Sequence, residues 1–349
     1  MYINEEQKEI TPELIVSDSQ GNEYISIKDV AELLSYEYDN GGYKEDGIDT
    51  MKCYIKNKNL ISGFELGTNI IYKYEEGTNL DYQYYELNYN IITYNNKLYI
   101  SMADLARALN CSCTINSNKE IRINSMENLA KTYEEKLKDS GYVMAQDQNS
   151  QKALTYGWII VSKDGLYSVL DTNLEKIISS KYSSIYFDEC NLNYIVSNTS
   201  GQYGIIATTG VVQHPLKYDG LELLNYENKL YKVKNNNKYG IIKADGTMLT
   251  QIIYDDIGYK ADPANKILYT LIIPDLNGKM GKTIVVKQNN KYGLVSLKTG
   301  EIYLPCDHLD KLYSVYESGE IQYRIEAEKQ TIGLLEYLTI RGTQTVVMN

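Results

Sequence analysis

Tyr167, Tyr203 and Tyr239 stand 36 residues apart in two successive steps, and a second tyrosine follows each by fifteen positions, at Tyr182, Tyr218 and Tyr254. A fourth copy opens at Tyr292-Gly293 after a longer gap, and a degenerate fifth at Ile332-Gly333. A fixed period of this length marks a repeat architecture, in which each unit buries its apolar face only by stacking on its neighbours. That constrains the scaffold strongly and names no ligand or reaction.

One unit is clearest at Leu230–Asp256. A strand Leu230–Lys234 leads into an Asn235-Asn236-Asn237 turn and a second strand, Lys238–Lys243. Asp245-Gly246 signals a hairpin, and a third strand, Thr247–Tyr254, ends before Asp255-Asp256. The same order is readable at 157–182, 193–218 and 283–304, and a last unit at 321–326, 332–336 and 344–348. Gly204, Gly240 and Gly293 remove a side chain inside a strand, which implies a close approach there. The stretches KYGIIKADGTMLTQIIYDDI and KYGLVSLKTGEIYLP resemble the WG (KWG) repeat family, with Tyr in place of the usual Trp and Tyr167-Ser168 in the first copy. The resemblance covers nearly 200 residues. It implies an all-β interaction module with no general activity attached.

Two further stretches lie 75 residues apart, Tyr24–Leu34 and Tyr99–Leu109. In each a strand ends at a serine placed to cap a short helix: Ser26 with Asp29, and Ser101 with Asp104, have capping-box spacing. The helices then set Ile27, Val30, Ala31 and Leu34, or Met102, Leu105, Ala106 and Leu109, on one stripe. Strands are expected at 51–56, 70–74, 111–115 and 120–123, with a hairpin turn at Asn116-Ser117-Asn118. This YISxxDLAxAL pattern resembles the copper amine oxidase N-terminal-like domain of Gram-positive envelope proteins. The resemblance covers roughly residues 10–124 and implies a stalk module without catalysis. It implies no copper, since the segment has no histidine. Between the two regions, Ser125–Ser140 reads as a helix with Met126, Leu129, Tyr133 and Leu137 on one face and Gly141 as its stop. That helix suits a cap on the first repeat, and Asp147–Lys152 reads as a connection.

The net charge of -11, with no basic run, argues against a nucleic-acid or anionic-membrane binder. Thirty-five tyrosines against two phenylalanines and one tryptophan suit half-buried strands, and tyrosine also lines adhesive or sugar-stacking surfaces. Five scattered cysteines read as free thiols rather than a disulfide framework, although Cys111 and Cys113 project from one strand face. No stretch is long and apolar enough to span a bilayer. The segment Met1–Glu6 lacks the basic and apolar parts of a secretion signal. Two locations follow: the cytoplasm if Met1 is the authentic start, the cell surface if a signal was removed.

Catalytic patterns fail on inspection. Gly278–Thr283 lacks the first glycine of a phosphate loop and precedes a strand rather than a helix. His214 and His308 occupy different repeat positions, Cys306 and His308 lack an orienting third group, and Asp255-Asp256 fits a closing turn.

The sequence therefore predicts an α+β N-terminal domain (1–124), a linker helix and connection (125–150), and an all-β domain (151–349) of about five three-stranded antiparallel repeats. The array is expected as an open solenoid rather than a closed propeller. Its defining residues are Tyr167, Tyr182, Tyr203, Gly204, Tyr218, Tyr239, Gly240, Tyr254, Tyr292 and Gly293. The functional expectation is a non-enzymatic binding scaffold without cofactor or metal, whose repeats recognise a protein or cell-wall polysaccharide, the insertion Ala261–Lys282 being one place for specificity. The alternatives are a passive spacer, a cytoplasmic adaptor, or a hydrolase with two carboxylates brought together in a concave pocket.

Overall fold

The computed structural model describes the 349 residues except 10, 42, 46–47, 77–82, 117–119, 226–228, 259–271, 274–282, 310, 318–319, 328–329 and 334–349. Most of the Ala261–Lys282 insertion, the Gly278–Lys282 segment, the turn at Ser117-Asn118 and the tail Gln344–Met348 lie outside the described residues, as does the side chain of His308. The chain divides into two compact units, Met1–Ser200 with Ile205–Val212, and Gly201–Gly204 with Gln213–Asn349.

The protein is mostly β, built of many small antiparallel sheets. In the first unit the two YIS stretches pair with each other. Strand Lys97–Ser101 runs antiparallel to Glu23–Ser26, with Ile100 opposite Ile25, in a four-stranded sheet completed by Ile92–Tyr94 and Ile15–Ser17. Helix α1 (Ile27–Leu33) and helix α2 (Leu105–Leu109) leave the ends of these two strands. A five-stranded sheet has the order Gln83–Glu86, Ile70–Glu75, Leu60–Glu65, Lys52–Asn57, Glu37–Asp39. A third sheet sets Tyr2–Ile3 parallel to Ile121–Ser125. All three feed one core that includes Ile25, Val30, Phe64, Ile71, Leu105 and Ile123.

Helix α3 (Met126–Leu137) begins where Ser125 Oγ accepts the Asn128 N–H and ends before Gly141, whose φ of 74° suits only a residue without a side chain. Its buried stripe is Met126, Leu129, Ala130, Tyr133 and Leu137. It packs on Ile159, Val161 and Leu170, and so covers the first repeat sheet. Asp147–Lys152, expected as a connection, instead caps and opens helix α4 (Gln148–Thr155), with Asp147 accepting the Ser150 N–H. Its first turn is polar because Asn149 is spent on a neighbour: its amide donates to the Phe187 carbonyl and accepts the Phe187 N–H, both at 2.7 Å.

The repeats are meanders of four strands where complete, not three. The first sheet runs Val143–Met144, Ile159–Lys163, Leu166–Leu170, Lys176–Tyr182, and the second Ser184–Asp188, Asn193–Ser197, Tyr203–Ala207, Val212–Tyr218. In the second, third and fourth sheets the extra strand starts two residues after a closing tyrosine, in the interval that sequence leaves between units; in the first it is Val143–Met144. Those three strands are short, of five, six and two residues, and pairing with the next strand identifies them. In the third sheet the expected strand Thr247–Tyr254 is reduced to two bridges, Tyr239 with Tyr254 and Ile242 with Met248. The fourth has Asp256–Ile257, Thr283–Gln288, Lys291–Ser296 and Ile302–Leu309, and the fifth Lys311–Glu317, Glu320–Ala327 and Gln330–Gly333. From the insertion, Ile272–Ile273 pairs with Thr283 and Ile284.

Two-residue turns set the hairpins. Asp164-Gly165, Asn236-Asn237 and Asn289-Asn290 all hold positive φ at both positions, the type I′ geometry that matches strand twist. Neighbouring units stack through Gly210, Gly246 and Gly300. A Cβ there would sit 2.9 Å from the Ile177 carbonyl oxygen, 3.3 Å from that of Gln213, and 2.1 Å from that of Leu249. Leu230, Ile241 and Tyr254 then meet Ile284, Val286 and Val295 in a shared core.

Candidate functional site

The repeat-defining residues are placed as framework. Tyr182, Tyr218 and Tyr254 are buried, while Tyr167, Tyr203, Tyr239 and Tyr292 are half-buried. The two tyrosines of a unit face each other across strands, Tyr167 with Tyr182 and Tyr239 with Tyr254. Lysines lie over several of these rings, Lys217 at 5.0 Å from Tyr218 and Lys232 at 4.4 Å from Tyr239. Gly204, Gly240 and Gly293 admit a backbone: a Cβ at Gly293 would lie 2.3 Å from the Leu304 carbonyl oxygen, and one at Gly204 2.6 Å from that of His214. The strand register slips at this point in the first and fourth sheets, a bulge. The residue after the closing tyrosine ties down the next hairpin. Asp219 accepts the Asn236 N–H at 2.7 Å and Asp255 the Asn289 N–H at 2.6 Å. Asp255 also binds Lys238, which holds its carboxyl below the usual range.

The four cap residues separate. Ser26 caps α1 through the Asp29 N–H at 3.3 Å, while Asp29 itself pairs with Lys97 at 2.9 Å. Ser101 accepts the Ala103 N–H instead, and α2 starts four residues later. Asp104 takes no cap hydrogen bond; its carboxylate accepts from Asn88, at 3.0 Å from the backbone and 2.6 Å from the side-chain amide. Burial explains the difference, since Asp104 is nearly inaccessible and has to find donors where it lies.

Tyrosines sequence reasoning did not single out gather on the outward face of the five-stranded sheet. Cys53, Ile55, Phe64, Ile71 and Lys73 point to the core, so Tyr54, Lys56, Ile61, Gly63, Tyr72 and Tyr74 point away from it. Strand register sets two adjacent rows: Asp39, Tyr54, Gly63, Tyr72, and beside it Glu37, Lys56, Ile61, Tyr74. Gly63 is the reason the rings can meet. A Cβ there would fall 2.2 Å from the Tyr72 ring, so a glycine between two tyrosines lets that ring lie across the strand. Tyr54 and Tyr72 touch edge to face with centroids 6.2 Å apart, and Tyr72 and Tyr74 lie 6.4 Å apart and within 15° of parallel. Tyr54, Tyr74, Ile61 and Lys56, with Glu37 and Asp39, line a concavity of about 480 Å³.

Behind this face lies a buried polar centre. Lys73, between Tyr72 and Tyr74, donates to Asn110 at 2.9 Å and to Glu189 at 3.2 Å, with the Tyr85 ring 4.7 Å away. Tyr156 donates to the same Glu189 oxygen at 2.9 Å and stacks on Trp158. Burial pulls Lys73 down from the ordinary lysine value. Burial also opposes the Glu189 charge, but Lys73, Lys152 and the Tyr156 hydroxyl outweigh it and hold Glu189 below the usual carboxylate range.

The remaining reactive groups are quiet. All five cysteines are free thiols. Burial pushes Cys53 up to about 12 and Cys113 and Cys306 up to about 11, and the Cys306 thiol donates to the Val286 carbonyl. His214 is buried with a ring nitrogen 3.4 Å from the Lys243 carbonyl oxygen. Among the described residues no three histidine, cysteine, aspartate or glutamate side chains gather as a metal site requires, and no helix is long and apolar enough to cross a membrane.

No family model and no curated protein matches the chain. Solved structures with some likeness include BBS1N in complex with ARL6DN (11% identity, 92% of this chain and 90% of that one, TM-score 0.24). BamB from Moraxella catarrhalis gives 9% identity over 92% and 88% of the two chains with a TM-score of 0.25. The Dos1 propeller gives 11% over 87% and 82%, with a TM-score of 0.27. At these TM-scores the likeness decides neither fold nor function.

Proposed function

We propose that this is a non-enzymatic binding scaffold of the bacterial envelope type, with WG-like repeats and an N-terminal stalk-like region, and that it recognises a glycan or a protein. The observation that carries the reading is the group Tyr54, Tyr72 and Tyr74, three touching, half-exposed rings at the edge of a concavity. The repeat tyrosines, by contrast, are taken up in pairing and packing, so the binding face moves from the array to the five-stranded sheet. Aromatic rings with a polar rim are a common way to hold a sugar or a side chain in water. Binding of glycan and peptide arrays by the full chain, compared with Tyr54→Ala and Tyr74→Ala, tests the reading. Loss of the captured ligand in both variants is expected; capture untouched by either removes the face from consideration.

Glu37 and Asp39 in the same concavity favour one second reading, a carboxylate hydrolase. Both side chains are exposed on an open face, which suits recognition of a ligand better than water-excluding chemistry, so binding is the better account. Release of shorter oligomers from a bound glycan, abolished in Glu37→Gln, would reverse that order.

A further inference from the structure

The charge around the tyrosine concavity narrows its ligand, and this step rests on the binding reading above. Glu37 and Asp39 project on either side of Tyr38, whose own ring turns inward toward the Cys53 thiol, so the two carboxylates share the outward face. Both are exposed. Among the described lining residues the one cation, Lys56, is engaged by Glu76, with contacts of 2.9 and 3.1 Å to its two oxygens. Glu37 and Asp39 thus line the concavity, while its ammonium is held by a third carboxylate, Glu76. Aromatic faces carry negative potential of their own. The rim and the rings thus agree in sign: both attract a cation and both repel phosphate, sulfate or uronate. A chain with a net charge of -11 adds the same bias at longer range.

The shape adds a second restriction. Tyr72 and Tyr74 lie two residues apart on one strand, nearly parallel, and Tyr54 stands across Gly63 from them. Successive rings suit a ligand that repeats its own apolar faces at short intervals. A pyranose polymer does so with the C–H bonds of each ring, and its hydroxyls and amines donate to carboxylates. A lysine side chain offers one cation and one aliphatic stem, enough for a single ring. We propose that the face formed by Tyr54, Tyr72 and Tyr74 with Glu37 and Asp39 binds an amino-sugar polymer carrying free ammonium groups, of the de-N-acetylated hexosamine class.

Isothermal titration of the full chain with a glucosamine tetramer, an N-acetylglucosamine tetramer and a tetralysine peptide separates the possibilities. The glucosamine tetramer is expected to bind, and to weaken as salt rises. The acetylated form is expected to bind about tenfold less tightly, as loss of a charged hydrogen bond implies. Glu37→Gln combined with Asp39→Asn, two isosteric changes at exposed positions, is expected to remove the preference while thermal unfolding stays unchanged. Equal affinity for the two tetramers, or a preference that survives the double substitution, overturns the proposal. So does preferential binding of tetralysine; if Tyr74→Ala abolishes that binding, the tyrosine face still stands as a binding site with a peptide ligand. If Tyr74→Ala leaves every observed affinity unchanged, the face itself is wrong.

Discussion

Tyr182, Tyr218 and Tyr254 are buried between strands of the repeats, while Tyr54, Tyr72 and Tyr74 keep one side toward solvent on the five-stranded sheet, and a glycine neighbours the rings in both places. The role of that glycine differs. Beside the repeat tyrosines it makes room for a backbone, as at Gly293 against the Leu304 carbonyl. Beside Tyr72 it makes room for the ring itself. A backbone cannot yield without moving a strand, whereas a ring can swing aside. The same two residue types therefore build a rigid joint in one region and an adjustable surface in the other.

The sharpest way to break this contrast is to remove a buried ring. Tyr218→Ala is expected to cost about 3–5 kcal/mol, the usual range for a fully buried aromatic, measured by denaturant unfolding. A cost near that of a surface substitution would show that the repeat tyrosines are not framework. Lys73→Met tests what holds the surface in place, because it leaves Glu189 buried without its cation; about 3 kcal/mol or more is expected. Pairing it with Glu189→Leu should recover much of that loss, since apolar replacement of both partners is often tolerated. Gly293→Ala is expected to destabilise by about 1–3 kcal/mol through strain against the carbonyl. Gly63→Ala should cost less and instead displace Tyr72, reducing ligand capture more than stability. If the two alanines destabilise equally, the distinction between joint and surface fails.

A smaller effect comes from His214. Burial lowers its pKa below the ordinary 6.5, so the folded protein favours the neutral ring and the unfolded chain takes up a proton first. Its contribution to stability is present above about 6.5 and is lost as pH falls through that value toward the folded pKa. The melting temperature should decline on acidification from neutral pH, and His214→Gln should flatten that decline. Smallest of all is Tyr74→Ala, expected within about 0.5 kcal/mol of the wild-type stability as a surface change despite its effect on capture.

Much of this was legible locally. The 36-residue period, the Asn and Asp-Gly turns, the Ser26 cap and the α3 stripe are each written in a few neighbouring residues, and the structure has them at those positions. The α4 helix was not, because Asn149 and Ser150 look like loop residues until their partners Phe187 and Asp147 are known. The strand after each closing tyrosine was missed because it is short and is identified by its pairing with the strand that follows. The tyrosine face needed three facts at once, the strand Leu60–Glu65, its register, and the absence of a side chain at Gly63. Lys73 and Glu189 are 116 residues apart, and no pattern in one sequence links positions at that distance.

Gly210, Gly246 and Gly300 each rest on a carbonyl of the unit before. The plug is a bare α-carbon and the socket a peptide oxygen, so residue identity matters only at the plug, which has to be glycine. The second repeat carries both halves, Gly210 and the Gln213 carbonyl, and so does the third, Gly246 and the Leu249 carbonyl, so a duplicate of either would arrive with its coupling already made. Drift in the rest of the unit would leave that coupling intact. The constraint on such a chain is then narrow: the glycine at each of these three joints must be kept, and ring size, loop length and surface charge are released to vary around it.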